Sequence, residues 1–271
     1  MEYKKGYNTK KKWTLLTITF ILGIILLTGC GGDAKKETPA TTSKQKIVVG
    51  LDDQFPPMGF RNEKNEIVGF DIDMAKEASK RMGIEVEFKA IDWASKEAEL
   101  KSGRVDMLWN GLTMLEERKK NILFSKPYMG NKQIVVIKKG NSITSKDGLK
   151  GKVVAVQDDS SAVTALGKEK SVADTFKELK KYPDLISAFL DLGNGRVDVL
   201  IVDEVLARYY MSKNPDKYDV ISNVDFGTET FGVGMALTNK DLQAKLDKTL
   251  DEMKADGTAA KIYKKKKKKN L

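Results

Sequence analysis

Leu100-Lys-Ser-Gly-Arg-Val-Asp-Met-Leu108 returns further along the chain as Leu192-Gly-Asn-Gly-Arg-Val-Asp-Val-Leu200, with six of nine positions identical. Each copy reads as the end of a helix, a glycine cap and the start of a strand. Gly103 and Gly195 stand where a left-handed backbone closes a helix, a conformation that side chains with a Cβ avoid. Each copy also follows an earlier run of small apolar residues, Lys46-Ile-Val-Val-Gly-Leu51 and Gly151-Lys-Val-Val-Ala-Val156. Short Val/Ile runs of this kind fit parallel strands covered on both faces. The chain therefore contains two similar α/β units, about 90 residues apart. In open parallel sheets a ligand binds beyond the carboxyl ends of the strands. The repeats put Asn110-Gly111 and Asp203-Glu204 at those ends, so a site built from both units is expected.

Working outward, Phe70 to Met82 carries apolar residues at helical spacing and stops at Gly83. Ile84 to Phe88 alternates as a strand does, and Gln133 to Lys138 is an apolar strand. Asp184 to Leu192 and Glu204 to Met211 read as helices of the second unit. Thr230 to Leu237 reads as a glycine-containing strand, and Asp241 to Ala255 as a closing amphipathic helix.

The N-terminus sets the compartment. A basic head with Lys4, Lys5, Lys10, Lys11 and Lys12 precedes Trp13 to Leu27, which has no charged residue. That stretch falls short of the about 20 apolar residues of a membrane span and is followed by small residues, as in a secretory signal peptide. Leu27-Thr28-Gly29-Cys30 resembles the bacterial lipobox, which implies that Cys30 is lipid-modified and becomes the first residue of the mature chain. Residues 30–45 are small, polar and charged, and read as a flexible tether. Cys30 is the only cysteine, which excludes an intrachain disulfide.

Formal charge is +10, with 48 Lys and Arg against 38 Asp and Glu. The excess belongs to the ends. Without the signal segment 1–29 and the run Lys264 to Lys269, the body holds equal numbers of both signs, which argues against nucleic acid as a partner. The chain has no histidine. That excludes Ser-His-Asp and Cys-His catalysis and removes the commonest metal ligand. No metal and no cofactor is expected.

Four ordered stretches carry a family resemblance: Gly50 to Phe60 (GLDDQFPPMGF), Ile67 to Lys76 (IVGFDIDMAK), Gly111 to Arg118 (GLTMLEER) and Phe124 to Tyr128 (FSKPY). Lys152 to Gln157, Val202 to Val205 and Phe231 to Gly234 extend it. Over about Lys46 to Tyr263 the chain resembles the polar amino-acid binding proteins of ABC importers. The resemblance implies an α/β, two-lobed clamshell of the periplasmic-binding type. Lobe one takes residues 46–131 and 229–263, and lobe two takes 132–228. Two hinge strands are expected near Met129–Gln133 and Gly227–Phe231. The sequence departs from the family pattern at Lys264 to Lys269, where an aromatic residue is usual; residues 264–271 are expected to be a solvated basic tail.

A free amino acid presents a carboxylate, an ammonium and a side chain. A guanidinium donates two parallel bonds to a carboxylate and stays charged, and the resemblance assigns that task to Arg118. It gives Asn110, Gly111 and Thr113 main-chain and hydroxyl contacts to both ends of the ligand. Ser160 and Ser161 face them at a helix start, where N–H groups point at anions; plain N-capping explains them equally. Asp203 matches the family's ammonium acceptor. Phe55 and Trp93 match the two residues that clasp the ligand side chain, while Trp109 reads as pocket or core alike. Asp52 matches a position at the far end of polar side chains, and an acid there points to a cationic or amide ligand.

The expected function is capture of a free polar amino acid at the outer face of the cell membrane by a lipid-anchored monomer, and its delivery to the permease subunits of an ABC importer. Two rival classes share the fold. A dehydratase-like or wall-lytic enzyme needs a poised acid or base, for which Glu204 or Asp52 is available. An adhesin would use the basic tail, and a sensor would carry a further membrane or kinase segment.

Overall fold

A computed structural model describes residues 45–268. The signal segment, Cys30 and the tether to Lys44 lie outside the described residues, as do Lys269, Asn270 and Leu271. The described chain folds around two five-stranded sheets. In the first, the strand order is Glu85–Ala90, Lys46–Leu51, Met107–Leu108, Gly234–Met235, Leu123–Phe124. The first three run parallel, and the Gly234–Met235 strand is antiparallel to both its neighbours. In the second, the order is Glu178–Tyr182, Val153–Gln157, Val199–Asp203, Met129–Lys138, Tyr218–Phe231. Again the first three are parallel and the last two antiparallel.

The inner strands are buried along most of their length because helices cover both faces. Val153–Gln157 and Val199–Asp203 are almost wholly inaccessible, which is why they read as continuous apolar runs rather than alternating ones. Helix Phe70–Met82 buries Phe70, Ile72, Met74, Ala75 and Ala78. It ends at Gly83 (φ 70°), whose N–H turns back to the carbonyls of Lys80 and Ser79. In the second lobe Phe189 stacks on Tyr210 at 4.2 Å and meets Tyr218 edge-on at 5.2 Å. Burying an aromatic side chain of this size contributes about 1.5–3 kcal/mol.

The repeat is a structural repeat. Gly103 and Gly195 both have φ 72°. Asp106 donates its N–H to the Val48 carbonyl and accepts the Val48 N–H on its carboxylate at 2.7 Å. Asp198 does the same with Val153, accepting its N–H at 2.8 Å. Arg104 and Arg196 each pair with an acid five residues earlier, Glu99 and Asp191. Lys89 and Lys180 bind those same two acids from the neighbouring strand. One device thus sets the register of the middle strand twice and delivers Asn110 and Asp203 to equivalent strand ends.

The strands Met129–Lys138 and Tyr218–Phe231 also join the lobes. They pair antiparallel from Lys132↔Thr228 to Met129↔Phe231, and bulges separate this stretch from the second-lobe pairing beyond it. The sequence suggested one strand over Thr230 to Leu237; the structure divides it. Pairing stops at Phe231 and resumes at Gly234–Met235 in the first sheet. Gly232 and Gly234 lie against Met114 and Leu112, where an added Cβ would approach within 2.9 Å and 2.8 Å. The chain changes sheets at the point where only glycine backbone fits.

In the C-terminal run Lys264 and Lys265 are exposed, as expected of a solvated tail, but Lys266 is not. Helix Thr258–Lys268 continues through it. Tyr263 meets Phe70 edge-on at 6.1 Å, and Lys266 is buried with its ammonium 2.9 Å from Asp73. Lysine has good helix propensity and a long apolar stem, so one lysine per turn can lie on the packed face and reach an acid. Among the described residues no helix is long and apolar enough to cross a membrane.

Candidate functional site

The carboxyl ends of the two sheets face each other, and the residues there touch directly. Asp52 follows the first strand of the first sheet. Its carboxylate accepts the Gln54 N–H at 2.9 Å and the side-chain amide of Gln157, from the other lobe, at 2.7 Å. Burial pushes the Asp52 carboxyl up to about 6, against the opposing pull of Gln157. Asn110 donates to the Asp52 carbonyl at 2.6 Å, and its own side-chain oxygen is buried without a partner.

Gly111 takes φ 60°, and a Cβ there would come within 2.9 Å of the Phe55 ring. Glycine is therefore required twice over, by conformation and by the aromatic face packed on the loop. Its N–H is held by Asp71 at 2.8 Å, and the same oxygen accepts the Tyr128 hydroxyl at 2.8 Å. Asp71 is completely buried in the first turn of its helix, and burial pushes its carboxyl up to about 7. Trp109 packs 6.1 Å from Tyr128 within the core, so of its two readings the structure selects core.

Arg118 opens a short 3-10 turn and is buried. It donates to the Thr113 carbonyl at 3.3 Å on its own lobe and to the Asp159 carbonyl at 2.8 Å on the other. Lys96 stands beside it, fully buried, donating to the Asp159 carbonyl at 2.9 Å, to the Asp159 carboxylate, and to the Trp93 carbonyl at 3.1 Å. Its ammonium lies 5.1 Å from the centre of the Trp93 ring. Burial, and the Arg118 cation, bring Lys96 down to about 8. Trp93 thus backs a cation of the protein itself, while Phe55 lies on the loop.

Ser160 and Ser161 begin helix Ser161–Lys168. Neither side chain caps it; Ser160 donates to the Gln157 carbonyl at 2.8 Å. Ser161 meets Thr113 across the cleft at 3.2 Å and receives the Gln133 amide at 3.0 Å. Asp203 accepts from Asn131 at 2.6 Å and Gln133 at 3.0 Å. Burial, and the neighbouring Glu229 carboxylate, push the Asp203 carboxyl well above the usual range. Glu229, on the second hinge strand, accepts from Asn131 at 2.6 Å, Gln133 at 2.9 Å, Thr113 at 3.0 Å and Ser161 at 3.3 Å. Through Glu229 the Asp203 side of the cleft is continuous with the Thr113–Arg118 side.

All ten residues singled out from the sequence lie around this cleft. Seven others that meet there were not anticipated: Asp71, Lys96, Asn131, Gln133, Gln157, Asp159 and Glu229. Gln157 carried a readable signal, since it ends the strand that corresponds to the one leading into Asp52. The others depend on packing between segments distant in sequence. The cleft is shut, and the open grooves lie elsewhere; one of about 520 Å³ passes between Met58, Phe70, Tyr209 and Tyr263. Among the described residues no group of three or more Cys, His, Asp or Glu gathers as metal ligands would.

Two sheets joined by a paired hinge, with a charged cleft between their strand ends, define a two-lobed solute-binding protein. The chain belongs to the bacterial extracellular solute-binding proteins, family 3, whose family model matches residues 47–267. The arginine-binding extracellular protein ArtP of Bacillus subtilis is 32% identical over 258 residues, which cover 94% of this chain and 97% of that protein. A substrate-binding protein of an ABC uptake transporter from Streptococcus pneumoniae, solved with bound histidine, superposes with a TM-score of 0.78 at 34% identity, covering 81% of this chain and 91% of that one. An ancestral arginine-binding protein bound to arginine gives a TM-score of 0.76 at 40% identity, covering 82% and 98%.

Proposed function

We propose that this chain captures a free amino acid with a cationic side chain outside the cytoplasm and hands it to the permease of an ABC importer. The carrying observation is a buried guanidinium and a buried carboxyl in one cleft, Arg118 on the first lobe and Asp203 on the second. Arg118 takes the ligand carboxylate, assisted by Thr113, Ser160 and Ser161, and Asp203 takes the ammonium. Gly111, its N–H held by Asp71, offers its carbonyl to the same ammonium, and Asn110 fixes the loop. Phe55 and Trp93 line the side-chain end.

The balance of charge supports a cationic ligand. Lys96 is matched by Asp159, and the charged groups that remain in the cleft are the Arg118 cation and the carboxyl groups of Asp52, Asp203 and Glu229. A ligand with a second positive charge offsets this excess of acid, and Asp52 stands where the far end of an extended side chain arrives. Relatives named for arginine, and a neighbour solved with histidine, agree with that class.

Capture proceeds by bending of the paired hinge, with closure favoured by the contacts that exist only when the lobes meet. A thermal-shift screen of the 20 amino acids with ornithine and cystine tests the reading, because a ligand that binds only the folded state raises the melting temperature. Arginine, lysine or ornithine should give the largest shift. No shift with any amino acid overturns it. The reading is of binding without chemistry: ligand recovered altered after long incubation makes the protein an enzyme. Lipid attachment at Cys30 is tested by palmitate labelling, which Cys30→Ala should abolish.

A further inference from the structure

We infer that Glu229 is a second carboxylate of the ammonium subsite, forming with Asp203 a two-acid clamp that closes on the ligand's ammonium and releases a proton as it does so. This deepens the function proposed above and rests on that reading. The argument begins with hydrogen-bond supply. Asp203 Oδ1 and Glu229 Oε1 are both held by the same two amides, Asn131 Nδ2 at 2.6 Å each and Gln133 Nε2 at 3.0 Å and 2.9 Å. The two oxygens are therefore near neighbours. Gln133 Nε2 owns two hydrogens but has a third oxygen, Ser161 Oγ, at 3.0 Å. Gln133 Oε1 is buried with no partner at all. This cluster holds more acceptors than donors, and leaving a buried acceptor unmade is costly.

A primary ammonium supplies what the cluster lacks, three N–H donors and one positive charge. Neither a hydroxyl nor an amide brings both. The position of Glu229 also matters. It accepts from Thr113 of the first lobe and Ser161 of the second, on the strand that bends when the lobes move. With the cleft shut its carboxylate thus bridges the two lobes, and a bond from it to an ammonium adds to closure.

Asp203 is buried beside the Glu229 carboxylate, and burial together with that charge pushes its carboxyl well above the usual range, so without a ligand Asp203 holds its proton. The other charged group facing them is Arg118, from the first-lobe loop, which lies close enough to Glu229 to feel its charge. Beside Arg118, Lys96 and Asp159 neutralise one another. The ammonium arrives already protonated. Asp203 then ionises against it and its proton leaves to water, so charge and protons balance.

Titration calorimetry near neutral pH, in two buffers of different ionisation enthalpy, counts that proton. With the strongest ligand of the thermal-shift screen, the wild-type chain should release close to one proton per ligand bound. Glu229→Gln should bind about tenfold more weakly and release a smaller fraction of a proton. A wild-type chain that binds without proton release overturns the clamp, whatever the variant does. So does a folded Glu229→Gln protein with unchanged affinity. A wild-type chain that binds no amino acid overturns instead the function on which the clamp rests.

Discussion

The Arg118 guanidinium crosses the cleft and donates to the backbone carbonyl of Asp159 at 2.8 Å, the same oxygen that receives the Lys96 ammonium. Two buried cations of the first lobe thus converge on one peptide of the second. That peptide precedes the helix start at Ser160 and Ser161, so the contact sets those residues opposite Arg118.

Replacing Arg118 separates binding from folding. Arg118→Ala should lower amino-acid affinity by about 100-fold or more, since a buried charge-assisted pair is lost. The circular-dichroism spectrum should be retained, because the guanidinium bonds the backbone carbonyls of Thr113 and Asp159 and no strand or helix depends on it. Calorimetry on the folded variant checks this, and unchanged affinity refutes the assignment.

Lys96 tests the latch. Lys96→Met keeps the packed stem but removes three donors to Asp159 and Trp93. The ligand-free population should move toward the open form, seen as a larger radius of gyration in small-angle scattering. Saturating ligand should restore the compact value, because it adds bridges of its own.

Asp52 makes discrimination depend on pH. Its carboxyl is pushed up to about 6, so below that pH it is protonated and a cationic side chain must displace the proton. The affinity ratio of arginine to glutamine should fall by up to about tenfold per pH unit below 6. Taking the ratio cancels the ammonium subsite common to both ligands. In Asp52→Asn the ratio should be flat with pH.

Asp71 makes stability depend on pH over a different window. Its folded carboxyl is pushed by burial up to about 7, above the ordinary aspartate value of about 3.9. The folded state therefore binds more protons between these values. The stability it contributes is fully present below about pH 4 and is lost as pH rises through about 7. Asp71→Asn should flatten the decline in urea-unfolding free energy across that interval relative to wild type.

The repeated aspartates should be equivalent energetically as well as geometrically. Each of Asp106→Ala and Asp198→Ala leaves one strand N–H, of Val48 or Val153, without its acceptor. Each should cost about 1–3 kcal/mol. The double variant should be additive, because the two sites share no partner. Chemical denaturation measures both.

The Gly-Arg-Val-Asp repeat exposed the doubled architecture because it is local: the cap glycine, the arginine pair and the strand-register aspartate all act within a few residues of each other and on one neighbouring strand. Thr230 to Leu237 was misread for the opposite reason. Its pattern suits a strand throughout, but two different sheets claim its halves, and the break at Gly232 comes from packing against Met114 and Phe124. One position of the lysine run shows the same limit. Composition pointed to solvent, whereas one lysine in it faces Asp73. The sequence offers Trp93 to the ligand, and the three-dimensional arrangement adds the buried Lys96 against its ring.

Read alone, the sequence determined the two α/β units, the strand ends at which a site forms, and the residue types able to hold a carboxylate and an ammonium. These follow from periodicity, caps and chemistry, which are properties of short segments. The tertiary structure alone decided that Glu229 of the hinge joins Asp203, that Gln157 meets Asp52, and that Lys96 and Arg118 share one carbonyl. Each of those contacts joins residues 40 or more positions apart in sequence or lying on opposite lobes. No segment encodes them by itself, because they join side chains that only the packing of the whole chain brings together.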